Sequence, residues 1–239
     1  MVYTSIENKK IKQINKLKEK KHRDKESLFL IEGEHLIEEA IKHGYLETLI
    51  LLEDSTYNYK NIMYVNNTVM AYLSELQTPN MIGICRKKEN KNIGEKIVIL
   101  DNVQDPGNLG TIIRSAKAFD IDTIILSKDC VDLYNSKVIR ATQGMIFNTN
   151  IIITDIMDEI EKLKTDGVKI IGTRLNDAKN IKNVEICEKF AIIMGNEGTG
   201  VKKEILDACD EFVFIKMNNS VESLNVAVAT SIILYEFSR

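Results

Sequence analysis

A turn-forming segment between Asn102 and Arg114 brings together polar groups that could bind an anion or a hydroxyl. Pro106 and Gly107 favour a tight turn, because proline fixes φ and the glycine after it is permissive. Asn108 is a good helix N-cap that would leave backbone amides open near the helix start, and Arg114 follows on the second turn. The segment predicts an anion-binding helix start. A capped helix with a solvated arginine is the plainer alternative.

A second segment, Gly195–Gly200, has three glycines within six residues after an apolar run. Glycines at this density indicate a sharp turn or the close approach of a ligand to the backbone. The spacing is G-x-x-G-x-G and not the dinucleotide fingerprint G-x-G-x-x-G, so a nicotinamide or flavin site does not follow. Glu197 stands between these glycines, where its charge could complement a cationic ligand such as a sulfonium.

A third segment leads into a C-terminal helix predicted over residues 222–237. Ser223 and Asn225 place a hydroxyl and an amide at its first turn, although N-capping would need only one of them. The rest of this helix is apolar nearly all round. Such a helix requires burial on two sides, and a subunit interface would supply the second.

Buried strands must bring these three segments to one edge of a sheet. From Ile97 onward, short apolar runs alternate with helical patterns, which predicts a parallel α/β sheet with helices on both faces. Ligands bind such sheets at the carboxyl ends of the strands, where all three segments fall. The predicted strands are 97–100, 123–126, 150–153, 168–172, 190–194 and 212–215. One helix is predicted to begin after Asn108, and four more are predicted over 136–142, 155–165, 201–208 and 222–237.

The first 88 residues predict a smaller α/β domain. Helical spacing covers 6–20, 33–43 and 68–76, and strands are expected at 28–31, 46–52 and 81–85. Residues 89–96 are polar and aperiodic and are the linker candidate, with the least predicted structure over 90–94. The expected organisation is a small α/β domain over 1–88, a linker over 89–96 and a parallel-sheet α/β domain over 97–239.

The composition is that of a globular protein, with 44% hydrophobic and 28% charged residues. No apolar run approaches the roughly 20 residues needed to cross a bilayer, and the N terminus is lysine-rich rather than apolar. We therefore expect a cytoplasmic protein without membrane contact. Four scattered cysteines predict small buried thiols in place of a disulfide framework or zinc site, and no metal is expected.

Basic residues are concentrated in two places although the net charge is −3. Residues 1–30 carry nine lysines and arginines against four acids, and a second cluster lies at 86–88. Local basic patches on an acidic protein suit contacts with a phosphate backbone. A solvated helix face is an equally good explanation from charge alone.

In chain order, the three segments resemble the three motifs of the SpoU (TrmH-like) ribose methyltransferases of the SPOUT superfamily. The pattern N-x-x-D-P-x-N-x-G-x-x-x-R spans Asn102–Arg114, G-x-E-G-x-G spans Gly195–Gly200, and E-S-L-N-V spans Glu222–Val226. The resemblance covers roughly residues 97–239. It extends more weakly to Leu30–Gly33 and the helix after it, which are similar to the ribosomal-protein-like RNA-binding domain that many members carry. The resemblance thus implies an RNA substrate-binding domain over 1–88 and a SPOUT methyltransferase domain over 97–239.

The resemblance implies S-adenosylmethionine-dependent methylation of a ribose 2′-hydroxyl in structured RNA. It also implies a homodimer and a C-terminal trefoil knot. By position, it implies catalytic roles for Asn108, Arg114, Glu197, Ser223 and Asn225. The implied cofactor site comprises Thr173, Gly195, Asn196, Gly198, Ile215, Met217 and Leu224. We expect RNA phosphates to be held by Lys9, Lys10, Lys16, Lys20, Arg23, Arg86 and Lys87.

Two positions depart from the family pattern, which usually has proline and glycine where this chain has Lys216 and Asn219. Asparagine tolerates positive φ, so the loop shape can survive, and the lysine could add a phosphate contact. Large-subunit ribosomal RNA is the expected substrate and transfer RNA the second. A non-catalytic RNA-binding relative is the other class of function, although such a protein has no use for the complete polar set.

The expected chemistry is direct methyl transfer to a hydroxyl, a weak nucleophile whose loss of a proton the site must assist. Arg114 as the base would need a strongly lowered pKa, which a guanidinium resists. We therefore expect Arg114 to hold the adjacent phosphate and stabilise the developing alkoxide. Ser223 and Asn225 would orient the nucleophile, and Glu197 would anchor its loop by accepting hydrogen bonds.

Overall fold

The computed structural model describes residues 2–88 and 92–238. They form two compact units: residues 2–88 with Tyr134–Phe147, and residues 92–133 with 148–238. The sequence assigned 134–147 to the C-terminal domain, whereas this segment packs within the first unit. Of the expected linker over 89–96, residues 89–91 lie outside the described part of the chain.

The first unit is built on a mixed five-stranded sheet with the strand order β1-β4-β3-β5-β2. Strands β1, β4 and β3 run parallel, whereas β5 is antiparallel to both of its neighbours. The elements of residues 2–88 are β1 (Val2–Tyr3), α1 (Lys9–Lys16), α2 (Lys20–Glu26), β2 (Leu28–Glu32), α3 (Glu34–Lys42), β3 (Leu46–Leu52), β4 (Ile62–Val65), α4 (Asn67–Leu73) and β5 (Met81–Arg86).

The helix predicted over residues 6–20 is shorter in the structure, covering Lys9–Lys16, and a second helix begins at Lys20. Asn8 caps α1 by accepting a hydrogen bond from the Lys10 amide, and α1 ends where the Leu17 amide bonds to the Ile14 carbonyl. Ile11, Ile14 and Leu17 are all buried in the core of this unit. The apolar spacing therefore predicted the buried face but could not show where the backbone turns.

The second unit is built on a seven-stranded sheet in which every described pairing is parallel, as predicted. Its strand order is β10-β12-β9-β11-β6-β7-β8. The remaining elements, in chain order and including α6 of the first unit, are β6 (Lys96–Leu100), α5 (Pro106–Ala118), β7 (Thr123–Ser127), α6 (Ser136–Thr142), β8 (Asn150–Thr154), α7 (Ile156–Thr165), β9 (Lys169–Thr173), β10 (Lys179–Asn180), β11 (Phe190–Met194), α8 (Lys203–Asp207), β12 (Glu211–Phe214) and α9 (Val226–Phe237).

The starts of α5 and α9 differ from the prediction. Asp105, not Asn108, is the N-cap of α5: its side chain accepts the Asn108 amide at 2.8 Å, and Pro106 takes the first helical position. Helix α9 begins at Val226 rather than at 222, with Asn225 as its N-cap. Asn108 therefore lies in the first turn of α5 with its side chain not used for capping. The Asn225 side-chain oxygen caps α9 and leaves the side-chain amide for other contacts.

Two further observations bear on the sequence predictions. In the described residues, no helix is long and apolar enough to cross a membrane. All four cysteines are free thiols; Cys85 is buried and the other three are partly buried. Burial raises the pKa of Cys209 to about 11, and burial likewise raises the pKa of Cys130. Cys130 and Cys209 are therefore protonated at neutral pH.

Candidate functional site

The candidate site lies at the carboxyl edge of the second unit's sheet. Strand β11 is central and pairs with β6 on one side and β9 on the other. The chain runs from β6 to β7 in one direction, while β9 and β12 extend the sheet in the other. The loops after β6, β9, β11 and β12 therefore meet where the strand order diverges, the usual ligand position in parallel sheets.

The loop after β6 is held in a fixed shape. Asn102 has a φ of 59°, and its amide donates to the Ser127 hydroxyl at 2.9 Å. Asp101 is fully buried, and one of its carboxylate oxygens accepts the Lys202 amide at 2.9 Å. The Lys202 ammonium lies 3.7 Å from the other oxygen. Asp101, which the sequence analysis missed as a candidate, thus ties the β6 loop to the end of the glycine-rich loop.

The glycine-rich loop closes on itself. Asn196 and Gly200 exchange two backbone hydrogen bonds at 3.0 Å, and Gly200 has a φ of +71°. A Cβ on Gly195 would lie 2.2 Å from the backbone of Gly200 and Val201, far inside contact distance. The Asn196 side chain accepts the amides of Gly198 and Thr199. Only glycine at position 195 allows this turn, so the predicted need for glycine has a specific steric cause.

A chain of side-chain hydrogen bonds joins all three motif segments. The Asn225 amide donates to the Asn108 Oδ1 at 2.9 Å, and the Asn108 amide donates to Glu197 Oε1 at 3.0 Å. Asn225 Oδ1 also accepts the Ala227 amide at 2.9 Å. Asn225 is therefore both a helix cap and a link between motifs. These contacts join residues 89 and 117 positions apart in the sequence.

Glu197 is exposed, but its carboxylate accepts hydrogen bonds from three residues of the first motif segment. Besides Asn108, it accepts the backbone amides of Asp105 at 3.1 Å and Gln104 at 3.3 Å. Partial burial alone would raise the pKa of its carboxyl, but these hydrogen bonds outweigh burial and hold the pKa below its usual value. The geometry favours the loop-anchoring interpretation of Glu197 over charge complementation of a sulfonium.

A cavity of about 320 Å³ opens beside this network. Its volume is at the lower end of the range of about 300–1,000 Å³ typical of ligand sites. The lining includes all seven residues predicted to bind a cofactor, together with Glu197, Glu222 and Ser223. Thr173, at the end of β9, donates its hydroxyl to the Ile193 carbonyl at 2.9 Å, which fixes that wall. The predicted cofactor residues are therefore brought together on one cavity.

Two predicted catalytic residues are not part of the hydrogen-bond chain. Ser223 lines the cavity and is exposed. Arg114 is exposed on α5 and is absent from the cavity wall. Within residues 2–88 and 92–238, neither side chain makes a hydrogen bond or ion pair. Both remain available to a bound molecule.

The predicted RNA-contact residues have different environments within the first unit. Lys9, Lys10, Lys16 and Lys20 are exposed. Arg23 is only 6% exposed, and its guanidinium donates to the Leu17 carbonyl at 2.9 Å and to the Lys18 carbonyl at 2.6 Å. The structure thus removes Arg23 from the predicted phosphate contacts, because its side chain closes the α1–α2 turn. Arg86 and Lys87 have carboxylate partners, Glu47 and Asp24.

Comparison with known protein families identifies the architecture. A model described as the SpoU rRNA Methylase family matches residues 95–235. A model described as the MRM3-like substrate binding domain matches residues 8–83. The chain belongs to the SpoU rRNA methylase family.

Individual relatives agree with this assignment. The chain is 36% identical to the 23S rRNA (guanosine(2553)-2′-O)-methyltransferase RlmP of Bacillus subtilis (strain 168), over 97% of this chain and 96% of that protein. Among solved structures, the AdoMet-bound rRNA methyltransferase from Sinorhizobium meliloti is 30% identical with a TM-score of 0.88, covering 99% of this chain and 97% of that one. The SpoU methyltransferase AviRb from Streptomyces viridochromogenes, in complex with AdoMet, is 25% identical with a TM-score of 0.87, and 97% of each chain is covered.

The predicted family, methyltransferase class and S-adenosylmethionine cofactor are thereby confirmed. The cavity fits that cofactor by its chemistry. Ile215, Met217 and Leu224 offer an apolar wall for a base, and the Glu222 carboxylate offers a partner for a positive charge. Gly195 keeps the backbone open where a Cβ would fill the turn. The trefoil knot implied by the resemblance stays a prediction.

Proposed function

We propose that this chain methylates a ribose 2′-hydroxyl in large-subunit ribosomal RNA. The observation that carries the proposal is the Asn225–Asn108–Glu197 hydrogen-bond chain, which fixes the three motif segments beside the cofactor cavity. The name of the Bacillus subtilis relative, which matches nearly the whole chain, supports a 23S RNA guanosine as the target. We further propose that the protein acts in the cytoplasm, on ribosomal RNA or its precursors.

Bound S-adenosylmethionine supplies the electrophilic methyl group. In our proposal Arg114 binds the phosphate next to the target ribose and stabilises negative charge on the ribose 2′-oxygen, because a guanidinium stays protonated at neutral pH. The proton of the 2′-hydroxyl passes to solvent as the oxygen accepts the methyl group. The Ser223 hydroxyl and the Asn225 amide orient that oxygen. Asn108 and Glu197 act through Asn225 and hold it in place.

We also propose a homodimer formed through α9. Val228 and Tyr235 are apolar residues on this helix that are 48% and 60% exposed, respectively. Tyr235 packs edge-on against Phe119, at the end of α5, with ring centroids 5.8 Å apart. Since α5 carries Arg114, a second copy covering α9 would lie beside that arginine. Light scattering measures the molar mass of the wild type and of Tyr235→Asp. We expect a dimeric wild type and a monomeric variant, and a monomeric wild type would contradict the proposal.

The decisive experiment incubates purified protein with S-adenosylmethionine carrying a labelled methyl group. The acceptors are deproteinised ribosomal RNA and transfer RNA, both from cells lacking the gene. We expect label on a ribose 2′-oxygen of large-subunit RNA. Label on transfer RNA alone would redirect the proposal to that substrate. Binding of the cofactor with no transfer to either RNA would support a non-catalytic relative instead.

Arg114→Ala tests the proposed role of the arginine. We expect single-turnover methyl transfer to fall about 100- to 1,000-fold, the usual loss when one charge-stabilising donor is removed. Cofactor affinity should be unchanged, because Arg114 does not line the cavity. Lys117→Ala removes another cation from the same helix and is the matched control. Unchanged transfer by Arg114→Ala would defeat the assignment.

A further inference from the structure

The two basic clusters of the first unit differ in whether their charges are paired within the protein. In the 86–88 cluster, the Arg86 guanidinium pairs with Glu47, and the Lys87 ammonium lies 2.6 Å from Asp24. Lys88 donates to the His43 carbonyl and lies 4.1 Å from the centre of the Tyr45 ring. The charges of this cluster are largely used within the protein itself.

The N-terminal cluster keeps its charge available. Lys9, Lys16, Lys20 and Lys21 are exposed, and no hydrogen bond or ion pair with another described residue engages them. Three of the four acids in residues 1–30 pair with a cation: Glu7 with Lys12, Asp24 with Lys87 and Glu26 with Lys25. Glu19 lies 3.8 Å from His22, a contact that is an ion pair only when the histidine is protonated. The excess positive charge of the first unit is therefore concentrated on α1 and α2.

Two of the free lysines, Lys9 and Lys16, lie on one face of α1. Ile11 and Ile14 face the core, so α1 presents its opposite side to solvent. Lys9 and Lys16 are seven residues apart, which is two helical turns or about 10 Å along the axis. Lys20 and Lys21 open the next helix. This spread of cations suits several phosphates along a backbone better than a single compact anion.

The aromatic side chains of the first unit are not presented for base stacking. None of its described tyrosines or phenylalanines is exposed. Four tyrosine rings are also approached by lysines of the same unit: Tyr3 by Lys10, Tyr72 by Lys18, Tyr134 by Lys87 and Tyr45 by Lys88. Proteins that bind single-stranded nucleic acid rely on open aromatic faces as stacking platforms. This unit offers phosphate contacts without such platforms.

We propose that the first unit binds the phosphate backbone of a double-helical RNA stem through the free lysines of α1 and α2. It does not hold single-stranded bases, and the 86–88 cluster serves the fold. Double-stranded RNA is recognised largely by shape and backbone contacts, which is the chemistry this surface provides. The inference rests on the proposed function for RNA as the substrate.

The first test compares two RNA probes on the full-length protein. Fluorescence anisotropy measures the Kd for a labelled 20-base-pair RNA duplex and for a labelled oligouridine of 20 nucleotides, over a series of salt concentrations. We expect the duplex to bind at least tenfold tighter at low salt. Equal or tighter binding of the oligouridine would overturn the proposal.

The second test removes equal charge from the two clusters. Lys9→Gln with Lys16→Gln should lower the slope of log K against log salt by about one per lysine for the duplex. Arg86→Gln with Lys88→Gln is the control that loses the same charge and should keep the wild-type slope. Thermal unfolding checks that both variants are folded. A loss confined to the 86–88 variant, or equal losses in both, contradicts the proposal.

Failure here is distinguishable from failure of the proposed function. A protein that binds S-adenosylmethionine and methylates ribosomal RNA, yet prefers oligouridine, loses only the stem-binding inference. A protein that binds the duplex through α1 and α2 but transfers no methyl group loses the proposed function instead.

Discussion

The catalytic edge of the second unit and the lysine surface of the first unit are two ways of building a binding region. At the catalytic edge, Glu197, Asn108 and Asn225 form one chain of hydrogen bonds, so each position is set by the others. On α1 and α2, the exposed Lys9, Lys16, Lys20 and Lys21 have no common partner among the described residues. The first arrangement suits a reaction that needs fixed geometry. The second suits a partner recognised by the spacing of its charges.

The largest effect expected at the catalytic edge comes from adding one methyl group. In Gly195→Ala the new Cβ would overlap the backbone of Gly200 and Val201, so the loop must move and the cavity wall with it. We expect loss of measurable S-adenosylmethionine binding by calorimetry. Gly198→Ala adds a methyl group to the same loop and the same cavity wall, where its nearest neighbour would be a side-chain oxygen 3.6 Å away, so it separates the backbone overlap from the presence of a methyl group. Comparable binding by the two variants would mean that the loop is not fixed as described.

Arg23→Ala tests whether any cation of the first unit is part of a fixed network. The substitution leaves the Leu17 and Lys18 carbonyls without their donor. We expect a loss of about 1–3 kcal/mol in the free energy of unfolding, measured by urea denaturation. Lys20→Ala, which removes an exposed cation three residues away, should leave stability unchanged. If the two variants are equally stable, the distinction between structural and free cations fails.

Two substitutions at Asn225 separate its role as the N-cap of α9 from its hydrogen bond to Asn108. Asn225→Ala loses both contacts and should cost about 1 kcal/mol of stability as well as slowing methyl transfer. Asn225→Ser retains a capping oxygen but has no amide to donate to Asn108. We expect the serine variant to be nearly as stable as the wild type and still slow. Wild-type transfer rates in the serine variant would show that the link to Asn108 has no catalytic role.

The smallest effect concerns pH. The pKa of Glu197 is lowered in the folded protein, so its contribution to stability is complete above its ordinary carboxyl value and is lost only as the pH falls through the lower folded value. Cofactor binding should therefore not titrate through Glu197 between about pH 5.5 and 8. Calorimetry across that range, with Glu197→Gln in parallel, checks this. A carboxyl-like transition near pH 6 that is absent in Glu197→Gln would contradict it.

The sequence predicted the bounds of helices and strands best where the residue pattern is strong. Strands β3 and β11 and helix α6 have the predicted bounds, because continuous apolar runs or clear helical spacing define them. The start of α5 was misplaced, although an Asp-Pro pair is a recognisable cap followed by proline at the first helical position. Strands β1 and β4 were missed, since runs of two and four residues carry too little pattern.

The environments of the charged residues were the hardest feature to predict from the sequence. Nothing local distinguishes Lys87, which contacts Asp24 across 63 positions, from Lys20, which remains exposed. Arg23 lies among free lysines but is buried against two carbonyls. The fate of a cation depends on residues brought near it by folding, and a spacing rule within one segment cannot supply those. The structure does bring the motif residues Asn108, Glu197 and Asn225 together, while their catalytic roles stay predictions.

The segment that contains α6 belongs to the first unit but lies much later in the chain than the rest of that unit. Phe29 of β2 packs against Tyr134 and Phe147, at ring-centroid distances of 4.7 and 6.4 Å, so part of this unit is encoded some 45 codons beyond residue 88. A ribosome that has synthesised only the first 88 residues has made an incomplete module. Its aromatic centre can close only after the β6 and β7 strands of the other unit have been translated. Gene fragments cut at residue 88 should accordingly yield a poorly folded product.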